Sequence, residues 1–192
     1  MILKSILGQA SKACAALTLT LGLCLPAWAQ KVKLATSMGD IVIELDAAKA
    51  PKSVDNFVQY VKSGHYDGTV FHRVIDNFMI QGGGMTADLK QKPTREPIPL
   101  ESRNGLNNVR GSVAMARTGD PNSAKAQFFI SVKDNAFLDA ANSRDGNGYA
   151  VFGKVTSGMD VVKAIGKAPV QTAAGYENVP VDDITIDRIY FE

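Results

Sequence analysis

Hydrophobic residues recur at every second position in several short stretches and at every third or fourth in two others. These are the periods of strands and helices, so the pattern predicts a β-rich fold with two helices. Residues 31–37 and 40–46 form a hairpin turning at Met38-Gly39. In its second strand Ile41, Ile43 and Leu45 alternate with Asp40, Val42, Glu44 and Asp46, which gives one dry face and one wet face. Pro51 opens a helix, where its missing N–H costs nothing. Val54, Phe57, Val58 and Val61 then lie on one stripe, and Gly64 supplies a left-handed end. Strand resumes at Thr69. Residues 85–99 read as a surface loop, polar and punctuated by Pro93, Pro97 and Pro99. Further strands are expected over 113–116, 128–132, 149–155 and 184–191, with a second helix over 159–165 showing Val161, Val162 and Ile165 on one side. Six to eight short strands with two helices fit a single antiparallel barrel closed by helices.

The stretch from Phe71 to Gly84 carries the first chemical signal. It reads as two short strands joined at Asp76-Asn77 and running into a flexible triple glycine. Alternation places Phe71, Arg73 and Ile75 on one side of the first strand, and Met79 and Gln81 on one side of the second. A cation on an apolar face beside an amide and a thioether suits the floor of a peptide-binding groove. An edge strand whose arginine lays its stem on apolar surface, with its head in water, fits the same residues.

The amino-terminal segment changes what composition means. Residues 1–29 have Lys4 and Lys12 as their only charges, an apolar run over 13–25, and Ala27-Trp28-Ala29 as a small-x-small cleavage site. They read as a cleaved signal peptide, with Gln30 starting a domain over 30–192. The run is short for a membrane anchor, and Leu23 before Cys24 is too bulky for a lipoprotein site. Export to the periplasm, with no stable membrane insertion after cleavage, is the expectation. Cleavage removes both cysteines, Cys14 and Cys24, which suits an oxidising compartment. It also takes two lysines from the 21 basic residues, leaving 19 against 19 acidic ones. A neutral domain gives no argument for a nucleic-acid or anionic-membrane partner.

Several chemistries are excluded by what is missing. Only His65 and His72 are histidines, and no cysteine survives cleavage, so a zinc site of the usual ligand type is not expected. No Lys-Ser/Thr pair follows Gly82-Gly83-Gly84, which rules out a phosphate loop of the Walker type. No G-x-S-x-G elbow marks a serine hydrolase.

A second block follows the first: Ser112 to Arg117, a polar loop, Gln127-Phe128-Phe129-Ile130, then Phe137-Leu138. In order and spacing the two blocks, FHRVI…FMIQGGG and AMAR…QFFI, resemble the cyclophilin family of peptidyl-prolyl cis-trans isomerases, over residues 32–189. The resemblance implies a closed eight-stranded antiparallel β-barrel with a helix over each open end. It implies an enzyme without cofactor or metal, acting as a monomer on proline-containing unfolded or extended polypeptides. Such a reaction fits the parts present, because rotating an X-Pro bond needs no nucleophile, acid, base or metal. Carried over by position, Arg73 is the catalytic donor to the prolyl nitrogen, and Gln81 holds the substrate backbone and the guanidinium. Phe78, Met79, Phe129 and Leu138 form the proline pocket; Ala116, Arg117 and Gln127 border a neighbouring subsite, with His72 alongside. Ordinary barrel core is the alternative for Phe78 and Phe129, and a structural histidine for His72. Phe137 and Tyr149 stand where the best-known eukaryotic members have tryptophan and histidine. Loss of the indole N–H at Phe137 implies weak cyclosporin binding. A chaperone or assembly factor using the same groove is the alternative function, and Arg73 argues against it, since a binder needs no transition-state donor.

Overall fold

The structure is a computed structural model that describes residues 30–192, so the signal segment lies outside the described residues. A first hairpin pairs β1 (Lys31–Thr36) with β2 (Gly39–Leu45), turning at Ser37-Met38, one residue earlier than the sequence pattern places it. Helix α1 (Pro51–Lys62) follows, with Pro51 in its first turn. Its cap residue is Ala50, which offers no side-chain acceptor. The Glu101 carboxylate supplies one from far along the chain, accepting from the Lys52 and Ser53 amides at 3.1 and 2.8 Å. It thereby satisfies orphan donors and meets the positive end of the helix dipole. Gly64, just past the helix, has the expected positive φ of 65°.

The remaining strands are β3 (Thr69–Val70), β4 (Arg73–Ile75), β5 (Met79–Gly82), β6 (Ser112–Met115), β7 (Phe128–Ser131) and β8 (Val151–Ser157). After α2 (Met159–Gly166) come β9 (Val170–Ala173), β10 (Tyr176–Pro180) and β11 (Thr185–Phe191). Nine of them form one antiparallel sheet in the order β3-β11-β1-β2-β8-β6-β7-β5-β4. Its first and last strands are joined in sequence by Phe71-His72 alone, so the sheet must curl until its two ends meet. Among the described residues no ladder joins β3 to β4. The expected eight-strand closed barrel therefore takes the form of a curled nine-stranded sheet. Helix α1 packs against β8 and β11, and α2 against β2, β4 and β5.

The sequence pattern missed β9 and β10, a hairpin outside the main sheet. Its turn is Ala174-Gly175, both at positive φ (48° and 82°), as a tight primed turn requires. Most of its residues are exposed on both sides, so no hydrophobic alternation announced it.

Phe71 also departs from expectation. It does not share a face with Arg73 and Ile75; it is buried in the main core against Phe128, at a ring separation of 6.4 Å. Phe71-His72 lies between strands, and the chain loses its two-residue period there.

One row of side chains across the sheet explains the core. Val74, Ile80, Ile130 and Val113 stand opposite one another on successive strands, each at most 1% exposed, and all point inward. They join Phe57, Phe128 and Phe152 in the interior, where Phe57 meets both other rings within 5.6 Å.

Candidate functional site

The adjacent row points outward. Arg73 faces Gln81, Gln81 faces Phe129, Phe129 faces Ala114 and Ala114 faces Val151, across five strands. Beside it, Ile75 faces Met79. On most one-layer sheets this outer surface would be polar. Here Met79, Ala114, Phe129, Leu138 and Val151 form a second apolar cluster, with Phe78, Ala116 and Tyr149 packed on it.

Arg73, Phe78, Met79, Gln81, Ala116, Arg117, Phe129, Leu138 and Tyr149 line one pocket of about 110 Å³. Nine of the residues singled out from the sequence are thus brought together. Gln127 lies next door, lining a larger cavity of about 360 Å³ with Gln81, Ala116, Arg117 and Lys125. Phe137 does not line the pocket. It is 55% exposed and stacks on Phe78 at 5.5 Å, forming an aromatic rim. His72 lines neither cavity: it is 4% exposed, and its Nδ1 has no hydrogen-bond partner. Burial lowers its pKa below the ordinary histidine value, so the ring is neutral near pH 7.

Arg73 is half-buried and pairs with no carboxylate among the described residues. Its Nη1 donates to Gln81 Oε1 at 3.4 Å, and Gln81 Nε2 donates to Gln127 Oε1 at 2.9 Å. The relay holds the guanidinium by one of its edges without neutralising it, leaving other N–H groups for a ligand.

The triple glycine is not a flexible joint. Gly82 belongs to β5, and all three glycines are buried. A Cβ on Gly84 would stand 2.3 Å from Gln127 Cγ, so that glycine is what lets the Gln127 side chain lie over the backbone and reach Gln81.

Two asparagines that the sequence did not single out build the rim. Asn135 Nδ2 donates to the Phe78 carbonyl at 3.0 Å, and its own carbonyl accepts the Leu138 amide at 2.8 Å. This fixes the single 3-10 turn Ala136–Leu138, which turns Leu138 into the pocket and leaves Phe137 outside. Asn108 Nδ2 donates to Asp139 Oδ1 at 2.9 Å and secures the far end of that turn. The only hint in the sequence is a pair of turn-forming residues, Asp134-Asn135, ahead of three apolar ones.

Among the described residues no three histidine, cysteine or acidic side chains gather as metal ligands would, and no helix is long and apolar enough to cross a membrane.

Comparison with known proteins agrees with this geometry. The family model described as cyclophilin type peptidyl-prolyl cis-trans isomerase/CLD matches residues 31–190. A peptidyl-prolyl cis-trans isomerase of Streptomyces antibioticus is 58% identical over 157 residues, 81% of this chain and 95% of that one. Peptidyl-prolyl cis-trans isomerase B of Escherichia coli K12 is 50% identical over 155 residues, covering 80% and 94%. Among solved structures, a cyclophilin type isomerase of Cryptosporidium parvum in the presence of the dipeptide Ala-Pro superposes with a TM-score of 0.70. That match is 28% identical and covers 85% of this chain and 99% of that one.

Proposed function

The chain belongs to the family of cyclophilin-type peptidyl-prolyl cis-trans isomerases, and on that premise we propose that Arg73 and the pocket beside it catalyse rotation about X-Pro bonds. The observation that carries the reading is an arginine that pairs with no carboxylate among the described residues and lines a small pocket together with Phe78, Met79, Phe129 and Leu138. The barrier to rotation is amide resonance, about 18–20 kcal/mol. In the twisted transition state the prolyl nitrogen becomes pyramidal and gains a lone pair, and the amide loses much of its dipole. Phe78, Met79, Phe129 and Leu138 offer an apolar surface that favours the less polar twisted form. Arg73 offers a donor that the planar ground state cannot use, which is the condition for raising kcat. An acceleration on the order of 10⁵ takes about 7 kcal/mol. One preorganised donor contributes about 2.7–4 kcal/mol, so the pocket and the grip on the flanking peptide supply the rest.

Arg73→Ala is expected to lower kcat about 10²–10³-fold, with a much smaller effect on peptide binding. Arg73→Lys should recover little, because an ammonium lacks the planar fork that Gln81 orients. Undiminished turnover in Arg73→Ala, with peptide still bound, would leave a proline-peptide-binding chaperone as the reading.

The natural clients in this proposal are proteins exported to the periplasm, supported by the Lys4, apolar-run and Ala27-Trp28-Ala29 pattern. Mass spectrometry of the chain recovered from an exporting host should find Gln30 at its amino terminus; a full-length cytoplasmic chain would refute the assignment. The protein acts as a monomer, and cyclosporin binds weakly because Phe137 has no indole donor. Tighter drug binding by Phe137→Trp is the measurement that checks this.

A further inference from the structure

Arg117 occupies the wall between the proline pocket and the larger cavity beside it, and a cation there suggests a contact to substrate. Its hydrogen bonds point elsewhere. The side chain is 2% exposed. Its Nε donates to the Gly148 carbonyl at 2.9 Å, Nη1 to the Thr118 carbonyl at 2.9 Å, and Nη2 to the Asp145 carboxylate. All three nitrogens are engaged within the chain. The guanidinium carbon lies over the Tyr149 ring, 4.6 Å from its centre, within the range at which arginine and an aromatic attract. The same ring meets Phe129 edge-on at 5.6 Å and 81°. Tyr149 and Phe129 are both walls of the proline pocket.

Asp145 ties this stack to its loop. Its Oδ1 accepts from the Ser143 hydroxyl at 3.1 Å, the Asn147 amide at 3.0 Å and the Gly148 amide at 3.3 Å. The loop before Tyr149 is therefore wound around one carboxylate, and the carboxylate's other oxygen is held by Arg117. The Asn147 amide and then the Arg117 guanidinium hold that carboxyl well below the usual range, so the clasp stays charged at any ordinary pH.

We propose that Arg117 is a positioning residue: clasped by Asp145 and the Gly148 carbonyl, it presses on Tyr149 from behind and sets the width of the proline pocket through the Tyr149–Phe129 contact. It thus acts on substrate affinity without touching the substrate. The proposal rests on the reading of this pocket as the prolyl site.

The test is a cycle of Asp145→Asn, Tyr149→Ala and the double variant, with kcat and KM measured on one proline peptide. Asp145→Asn keeps the Oδ1 acceptor for the Asn147 and Gly148 amides, but replaces the charged oxygen that holds Arg117 with an amide NH2, which cannot accept from Nη2. Its KM should rise about three- to tenfold with kcat within about twofold of wild type. Tyr149→Ala should also raise KM, and adding Asp145→Asn to it should change nothing further. Arg117→Lys, which keeps the charge but cannot span three acceptors, should match Asp145→Asn. A lower melting temperature with unchanged KM in Asp145→Asn would overturn the proposal, as would an equal KM rise in the Tyr149→Ala background. Arg73→Ala, run alongside, separates this failure from failure of the prolyl-site reading, because only the latter leaves its turnover intact.

Discussion

The two halves of the curled sheet share one inner face and differ completely on the outer one. On β1 and β2 the outward positions include Lys33, Asp40 and Glu44 beside Ala35 and Val42, and the charges are joined by partly exposed ion pairs: Lys33 to Asp40 at 3.5 Å, and Glu44 to Lys154 of β8 at 3.1 Å. On β4, β5, β7 and β6 the same outward positions are Arg73, Gln81, Met79, Phe129 and Ala114. Alternation is obeyed in both halves. The first half puts charges at its surface and pairs them with one another. The second keeps apolar side chains outside, roofs them with Leu138 and Tyr149, and leaves one cation without a counter-charge. An apolar outer face on a one-layer sheet, with a lone arginine on it, is thus what distinguishes the binding half from the scaffold half.

Neighbouring residues on β7 give the largest expected contrast. Phe128 points inward and is fully buried among Phe57, Tyr66 and Phe71. Phe128→Ala should destabilise the fold by about 3–5 kcal/mol through the cavity it leaves. Phe129 points outward, and one side of its ring already borders the open pocket. Phe129→Ala should cost less stability and raise KM for a proline peptide. Urea unfolding and peptide kinetics on both variants check this. Equal stability losses with an unchanged KM would mean that the two faces are one core.

Local pattern made much of this legible. The first hairpin, α1 with its proline start, and the Arg73 and Gln81 strands follow from hydrophobic period and turn residues, and registry places that pair directly opposite each other. What failed was anything depending on a third partner. Phe71 changed faces because two residues outside any ladder reset the alternation. The tight fit of Gly84 against Gln127 joins residues far apart in sequence, so a triple glycine read as slack. Asn135 looked like turn chemistry until its amide was found under the Phe78 carbonyl. The resemblance put Arg117 at a substrate subsite, and only the positions of Asp145 and Tyr149 show where its nitrogens are spent.

Acid sensitivity should belong to the pocket half. His72 follows β3 and immediately precedes β4, and His65 lies under the glycine run, its Nε2 3.3 Å from the Gly83 carbonyl. Burial lowers the pKa of both below the ordinary value of about 6.5; nearby Lys92 lowers His65 further. As pH falls through about 6.5 the unfolded chain gains these protons before the folded one does. Stability is therefore full above about pH 6.5 and declines below it. His72→Gln should flatten part of that slope in urea unfolding series. Turnover should stay nearly level from about pH 6.5 to 9, since both rings are neutral there and rotation needs no proton transfer. A slope unchanged in His72→Gln would place the acid sensitivity elsewhere.

The smallest effect should come from the opposite half. Lys33 lies between Asp40 and Glu192, at 3.5 and 3.7 Å, on the wet face of β1. Both pairs are open to solvent, where Coulomb attraction is weakened by water and shared with salt. Its stem lies over the sheet, which methionine can cover equally well. Lys33→Met should therefore leave kcat and KM for a proline peptide at wild-type values. Any difference in its urea midpoint should shrink as salt is raised. The contrast with Arg73 is then a matter of setting, not of charge. Each is a cation on an outward strand position, but Lys33 has carboxylates and water around it, and Arg73 has an amide and an apolar pocket. If Lys33→Met lowered turnover as Arg73→Ala should, the sheet would be acting through its overall field, and the pocket would lose its claim to be the seat of the chemistry.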